Sequence, residues 1–217
     1  MIPIIYENDE IIIINKPSGL AVQGGQGVVH SVDRDFAEQV GYKIYLVHRL
    51  DKDTSGLMVV AKNPVAAGKW TKLIGSKIVK KEYLALCAGK MPSKSGVINE
   101  EIVQHGDSKT AVTKYKVEKE TDIEQTGPDN QPVSIHLSLI RLMLETGRMH
   151  QIRIHLSKNG CPIAGDDQHG NFKLNKQLKK LAGIKRLQLS AVRLTIPLEG
   201  KDKTFEVSAP FDFKFEE

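Results

Sequence analysis

Short runs of β-branched and apolar residues, cut off every few positions by turn formers, limit what this chain can fold into. Ile11-Ile12-Ile13-Ile14 and Leu57-Met58-Val59-Val60-Ala61 are the purest of them. Both have the length of a strand and fall far short of the roughly 18–20 apolar residues a membrane-crossing helix needs. Further strands are predicted over residues 2–6, 81–87, 112–117, 135–144, 187–196 and 204–208, with Gly127-Pro128-Asp129-Asn130-Gln131-Pro132 as a hairpin loop. Helices are fewer. Val32, Phe36 and Val40 lie at helical spacing ahead of Gly41, and Asn63-Pro64 joins a capping side chain to a first-position proline. Met149, Ile152 and Leu156 mark a helix over 149–158, and Leu174, Leu178 and Leu181 mark another. Strict strand–helix alternation is missing. The pattern predicts an α+β fold, a mixed and largely antiparallel sheet with a few flanking helices, in a single domain over residues 1–217.

Composition narrows the surroundings more than the chemistry. Hydrophobic residues make up 40% and charged residues 26% of the chain, ordinary values for a soluble globular protein. Lys and Arg exceed Asp and Glu by 31 to 26, and the pI near 9.1 suits a polyanionic partner without demanding one. Lys69, Lys72, Lys77, Lys80 and Lys81, and later Lys176, Lys179, Lys180, Lys185 and Arg186, are either two walls of a groove for a polyanion or solvated faces. Aromatic residues at 6% argue against an extended platform for stacking single strands. Cys87 and Cys161 stand far apart and read as reduced thiols. The amino terminus meets Glu7, Asp9 and Glu10 without a basic segment, so no signal peptide is expected. These features predict a cytoplasmic protein with no membrane contact and no implied protein partner, expected as a monomer.

Chemistry concentrates in Val47-His48-Arg49-Leu50-Asp51-Lys52-Asp53-Thr54-Ser55-Gly56, where polar side chains crowd a loop tied to the 57–61 strand. A loop on a rigid strand is where folds present reactive groups. The plainer alternative is a polar turn with a surface ion pair between Arg49 and Asp51. Other motifs fail. Gly25-x-Gly27 meets His30 where a dinucleotide fingerprint wants glycine, and Gly165…Gly170 is followed by Asn171-Phe172 instead of Lys-Ser or Lys-Thr. His150 and His155 are five apart, off one helix face. Asp166, Asp167 and His169 read as a turn after Gly165, with metal ligation as the rival reading. No metal site is predicted. The remaining chemistry needs only side chains.

Four segments in order resemble the motifs of the RluA-type pseudouridine synthases. Asn15-Lys16-Pro17-Ser18-Gly19-Leu20 is similar to the first motif, read here as scaffold, and His48-Arg49-Leu50-Asp51 with Thr54-Ser55-Gly56 resembles the catalytic motif. Lys81-Glu82-Tyr83-Leu84-Ala85 resembles the strand supplying an active-site tyrosine, and Gly147-Arg148-Met149-His150-Gln151-Ile152-Arg153 resembles the third motif. The resemblance implies a pseudouridine synthase-like fold and isomerisation of uridine in RNA without a cofactor. Large-subunit ribosomal RNA is favoured as substrate and transfer RNA is the alternative. It also implies a catalytic domain without the S4-type RNA-binding domain that many relatives carry. Asp51 becomes the catalytic carboxylate, Tyr83 the stacking aromatic, and Arg153 the cation that pairs with Asp51 and keeps it ionised against desolvation. Arg49 and Arg148 become substrate-binding candidates, while His48 and Thr54 are expected to hold the loop through hydrogen bonds. His169 departs from the aromatic residue common at its position. A non-catalytic RNA-binding or assembly module on the same fold is the rival function.

Overall fold

The isoleucine run sits where both of its faces are covered, which is what unbroken apolar strands require. In the computed structural model, which describes residues 1–104, 106–126 and 132–215, Ile11 to Ile14 are all shut off from solvent. In chain order the strands are β1 (Ile4–Glu7), β2 (Ile11–Lys16), β3 (Tyr45–Leu46), β4 (Ser55–Ala61), β5 (Lys80–Ala88), β6 (Ser95–Gln104), β7 (Asp107–Thr126), β8 (Pro132–Leu144), β9 (Leu189–Leu198) and β10 (Lys201–Glu206). The helices are α1 (Ala37–Val40), α2 (Pro64–Gly75), α3 (Gln151–Lys158) and α4 (Phe172–Ala182). Of the strand pairs with a described register, all but β4–β9 are antiparallel, so the expected α+β class holds. No helix among the described residues is long and apolar enough to cross a membrane.

The chain divides into two compact units, Met1–Glu82 with Ser190–Ala209, and Tyr83–Leu189 with Pro210–Glu217. In the first, the strands run β1-β2-β4-β9, with β10 on β9 and β3 on β4. The β2–β4 register runs from Ile11↔Ala61 to Lys16↔Gly56. Helix α2 starts as its sequence predicts: the Asn63 side chain accepts from the Ala66 N–H at 2.8 Å, and Pro64 follows. Its inward Ala66 and Trp70 join Ile11, Ile13, Leu57, Val59 and Ile196 in one core. Trp70 also donates its indole N–H to Glu10 at 3.0 Å, satisfying the polar end of a buried ring. The helix expected over 32–40 is not uniform. Val32–Phe36 is a wide π-type turn, and only Ala37–Val40 is α-helical before Gly41, whose φ of 78° ends it.

In the second unit the order is β5-β8-β7-β6. Strand β7 is 20 residues long and pairs with both β6 and β8. The expected hairpin loop over 127–132 lies outside the described residues except for Pro132, which pairs with Thr126. Helix α3 begins two residues later than its spacing suggested. Met149 is exposed, and His150 takes a left-handed φ of 53° immediately before the helix. Helix α4 is capped by Asn171, which accepts from the Leu174 N–H at 3.1 Å, and ends at Gly183 in the left-handed region. Leu86, Leu137, Ala164, Leu178 and Ile184 form this unit's core. Cys87 and Cys161 are free and fully buried.

Candidate active site

The Asp51 loop is held by its backbone. Asp51 is partly buried, whereas Lys52 and Asp53 are exposed. The three consecutive carbonyls from Asp51 to Asp53 all have donors. The Thr54 N–H reaches Asp51 O at 3.1 Å, the Gly19 N–H reaches Lys52 O at 3.0 Å, and the Ser18 hydroxyl reaches Asp53 O at 2.7 Å. Lys16 completes the arrangement. Its side chain is fully buried, and its Nζ donates to Pro17 O at 2.9 Å, Leu20 O at 2.8 Å and Lys52 O at 2.9 Å. Burial pulls the Lys16 pKa down to about 8, against the opposing pull of Asp53 and Asp51. One ammonium thus ties two turns together. The segment read as scaffold is the clamp of the candidate catalytic loop, and Lys16 is the residue the motif reading passed over.

Both ends of the loop are fixed as well. Leu50 is buried, and the His48 Nε2 accepts the Val59 N–H at 2.9 Å. Strand β2 covers one edge of β4; along the other, β9 meets Ser55 and Gly56, and β3 meets Val60 and Ala61. His48 therefore takes, by side chain, a strand hydrogen bond that β3 is too short to provide. Burial, with a smaller push from Lys81, lowers its pKa to about 3, so the ring stays neutral and can accept. The expectation that His48 shapes the loop holds. Gly56 has φ of 112°, and a Cβ there would lie 2.2 Å from Ala191 O, so the parallel β4–β9 contact requires glycine. Arg49 is exposed on the loop.

The remaining candidates lie in the second unit. Tyr83 is a buried aromatic on β5. Arg153, on α3, is 5% exposed and forms a two-pronged ion pair: Nε reaches Asp166 Oδ2 at 2.8 Å and Nη2 reaches Oδ1 at 2.7 Å. Nη2 also donates to Gln168 Oε1 at 3.1 Å. Burial would raise the Asp166 pKa, but hydrogen bonds from Arg153 and from the His169 and Gln168 N–H groups outweigh it and leave the group below the usual carboxylate range. Asp166 is therefore the anchor of Arg153. The turn reading of 165–170 fits this geometry, and no cluster of three or more metal-binding side chains occurs among the described residues.

Helix α3 is itself pinned at its first residue. Buried Gln151 donates to Val112 O and Thr113 Oγ1, both at 3.0 Å, and accepts from the Thr146 hydroxyl at 2.7 Å and the Arg148 N–H at 3.0 Å. Arg148 is exposed, its side chain making one long bond to Thr110 O at 3.4 Å. The structure thus brings Asp51 and Arg49 onto one loop of the first unit, and Tyr83, Arg148 and Arg153 into the second. Sequence reasoning missed Lys16, Gln151 and the anchoring role of Asp166.

Residues 10–158 match the family described as RNA pseudouridylate synthase. The chain is 34% identical over 224 residues to ribosomal large subunit pseudouridine synthase C of Rickettsia prowazekii, an alignment covering 97% of this chain and 69% of that protein. The protein of the same name from Escherichia coli is 34% identical over 225 residues, covering 96% and 66%. Among solved structures, "Human RNA Pseudouridylate Synthase Domain Containing 4" is similar with a TM-score of 0.72 and 26% identity, over 95% of this chain and 88% of that one. A second human structure, of "RNA Pseudouridylate Synthase Domain Containing 1", has the same TM-score of 0.72 at 23% identity, a likeness of fold.

Proposed function

The chain belongs to the RNA pseudouridylate synthase family, and from that premise we propose that it isomerises uridine to pseudouridine in large-subunit ribosomal RNA. The observation that carries the reading is that the family match over residues 10–158 takes in Asp51, Tyr83 and Arg153 together. The reaction breaks the N1–C1′ bond, turns the uracil and rejoins it through C5; C5 loses a proton and N1 gains one. Nothing is oxidised and no group is imported, so side chains and water suffice.

Asp51 is the group that acts at the ribose, by attack on C1′ or by removal of the 2′ proton. Both routes start from an ionised carboxylate held still, and immobilising a reacting group is a large part of catalysis. The Lys16 clamp supplies that immobility through three carbonyl bonds. Arg153 favours the ionised form of Asp51, Tyr83 offers the extruded uracil an aromatic face, and Arg49 and Arg148 hold RNA phosphates. Flipping the nucleotide costs a few kcal/mol, which RNA contacts must offset. The two units act together as one catalytic domain.

The test is incubation of the purified protein with unmodified large-subunit ribosomal RNA and, separately, transfer RNA. Pseudouridine is mapped by carbodiimide labelling and primer extension. New stops in the ribosomal RNA are expected. Stops in transfer RNA alone would replace the substrate, and none in either pool would sink the enzymatic reading in favour of a binding module.

A further inference from the structure

The two basic runs in the sequence have different fates. In the first, Lys69 is held by Glu10 at 2.8 Å, Lys80 lies 3.9 Å from Asp202, and Lys81 is half-buried. That wall is broken up by neighbouring carboxylates and by burial. The second is not. Helix α4, Phe172–Ala182, carries Lys173, Lys176, Lys179 and Lys180, and no Asp or Glu. All four lysines are exposed, and none has a carboxylate partner among the described residues. Lys62, Lys94, Lys114 and Lys158, by contrast, are each paired with a glutamate.

Helical geometry gathers these charges. At about 100° per residue, the four lysines fall within an arc of about 120°, whose centre lies about 160° from Leu178. Leu178 is the fully buried residue of the helix, so the lysine arc points away from the core. Lys173 and Lys180 are about 10 Å apart along the axis, far enough to meet different phosphates. Phe172 projects from the same arc and is 79% exposed, a large apolar face at the end of a cationic stripe. Four unneutralised cations on one face repel one another, and a polyanion relieves that repulsion.

We propose that the outer face of α4 is an RNA-docking surface, with Lys173, Lys176, Lys179 and Lys180 on backbone phosphates and Phe172 stacked on an unpaired base. Lysine ammoniums spaced along a helix act on phosphates as point charges and carry little sequence information, while an exposed aromatic takes any base. The surface adds binding through a helix that carries none of the candidate catalytic residues. The choice of RNA as the polyanion rests on the function proposed above.

The experiment measures binding of an unmodified large-subunit ribosomal RNA transcript across a salt series, beside modification kinetics. The variant K173Q/K176Q/K179Q/K180Q is expected to raise Kd about tenfold or more at low salt and to flatten the plot of log affinity against log salt by about 2–4. Its loss should appear in KM and not in kcat. The fourfold Lys→Arg variant should restore both slope and affinity. F172A should weaken binding without changing the slope. Unchanged Kd and slope in the glutamine variant, with circular dichroism confirming its fold, would overturn the inference. So would loss of binding to phosphatidylserine-containing vesicles with RNA binding intact. Wild-type protein that binds with the lysine-dependent slope yet never modifies RNA would contradict the proposed enzyme and leave the docking surface standing.

Discussion

The loop bearing Asp51 and the helix bearing Arg153 are immobilised by opposite means. The loop is gripped through neutral backbone groups, with one buried ammonium collecting three carbonyls. Arg153 is gripped by charge, through a buried carboxylate that matches its fork. The Lys16 grip falls on the carbonyls of Pro17, Leu20 and Lys52 and not on the Asp51 carboxylate, so it fixes the loop without using the reacting group. A guanidinium can be chelated on one side without loss of charge, since it stays protonated at any accessible pH. The two devices should therefore fail differently.

Removing the carboxylate from the charged device is expected to have the largest effect. Asp166→Asn keeps the shape but removes the charge from the two-pronged pair that holds Arg153, and breaking a buried pair costs about 3–5 kcal/mol. Urea unfolding followed by fluorescence or circular dichroism measures this; a loss under about 1 kcal/mol would show that the pair is not what holds Arg153. Lys16→Met should cost less, about 2 kcal/mol, because lost carbonyl bonds are partly offset by no longer burying a charge. Its activity should fall further than its folded fraction does, since the loop loosens first. Equal loss of both would mean Lys16 serves only general stability.

The smallest expected effects are those of pH, and they separate the two devices by range: both pKa values are depressed, so both linkage terms rise with pH, one in acid and one in base. The folded pKa of Asp166 is depressed, so its contribution is complete above the unfolded value of about 3.9 and is lost as pH falls through the lower folded value. Stability from this pair should be flat through neutrality and fail only in strong acid. Lys16 behaves otherwise: its pKa of about 8 lies below that of a free lysine, so the native state releases this proton first as pH rises. Between about 8 and 10.4 the unfolded chain binds more protons at this site, and its linkage term favours folding as pH rises. The neutral amine nevertheless has one donor fewer for its three carbonyls. Activity should therefore decline above pH 8 without a matching decline in stability, and Lys16→Met should lack that decline. A limb that persists unchanged in the variant would assign it elsewhere.

What was legible in the sequence followed local rules. Asn63-Pro64 opened α2, Gly41 ended α1, and the isoleucine run formed a strand covered on both faces. Strand β6 escaped notice because its alternation is diluted by charge: Ile98 and Ile102 point inward, but Asn99, Glu100 and Glu101 intervene and Val97 and Val103 face solvent. Strand β7 was foreseen only over 112–117, because much of the rest is Lys, Glu and Thr, residues that read as loop until partners on both sides recruit them. The site was legible in its reactive candidates and not in its supports. A lysine beside Pro-Ser-Gly reads as an exposed turn residue, and nothing local says that three carbonyls will converge on it. Asp166 lies 13 residues beyond Arg153, and their pairing is decided by the fold.

The most direct measurement is pseudouridine formation in large-subunit ribosomal RNA by Asp51→Asn beside the wild type, with RNA binding followed in the same preparations. Modification should fall about 10³-fold or more, the scale seen when a central catalytic group is removed, with binding unchanged within about twofold. Modification by Asp51→Asn at the wild-type rate would contradict it.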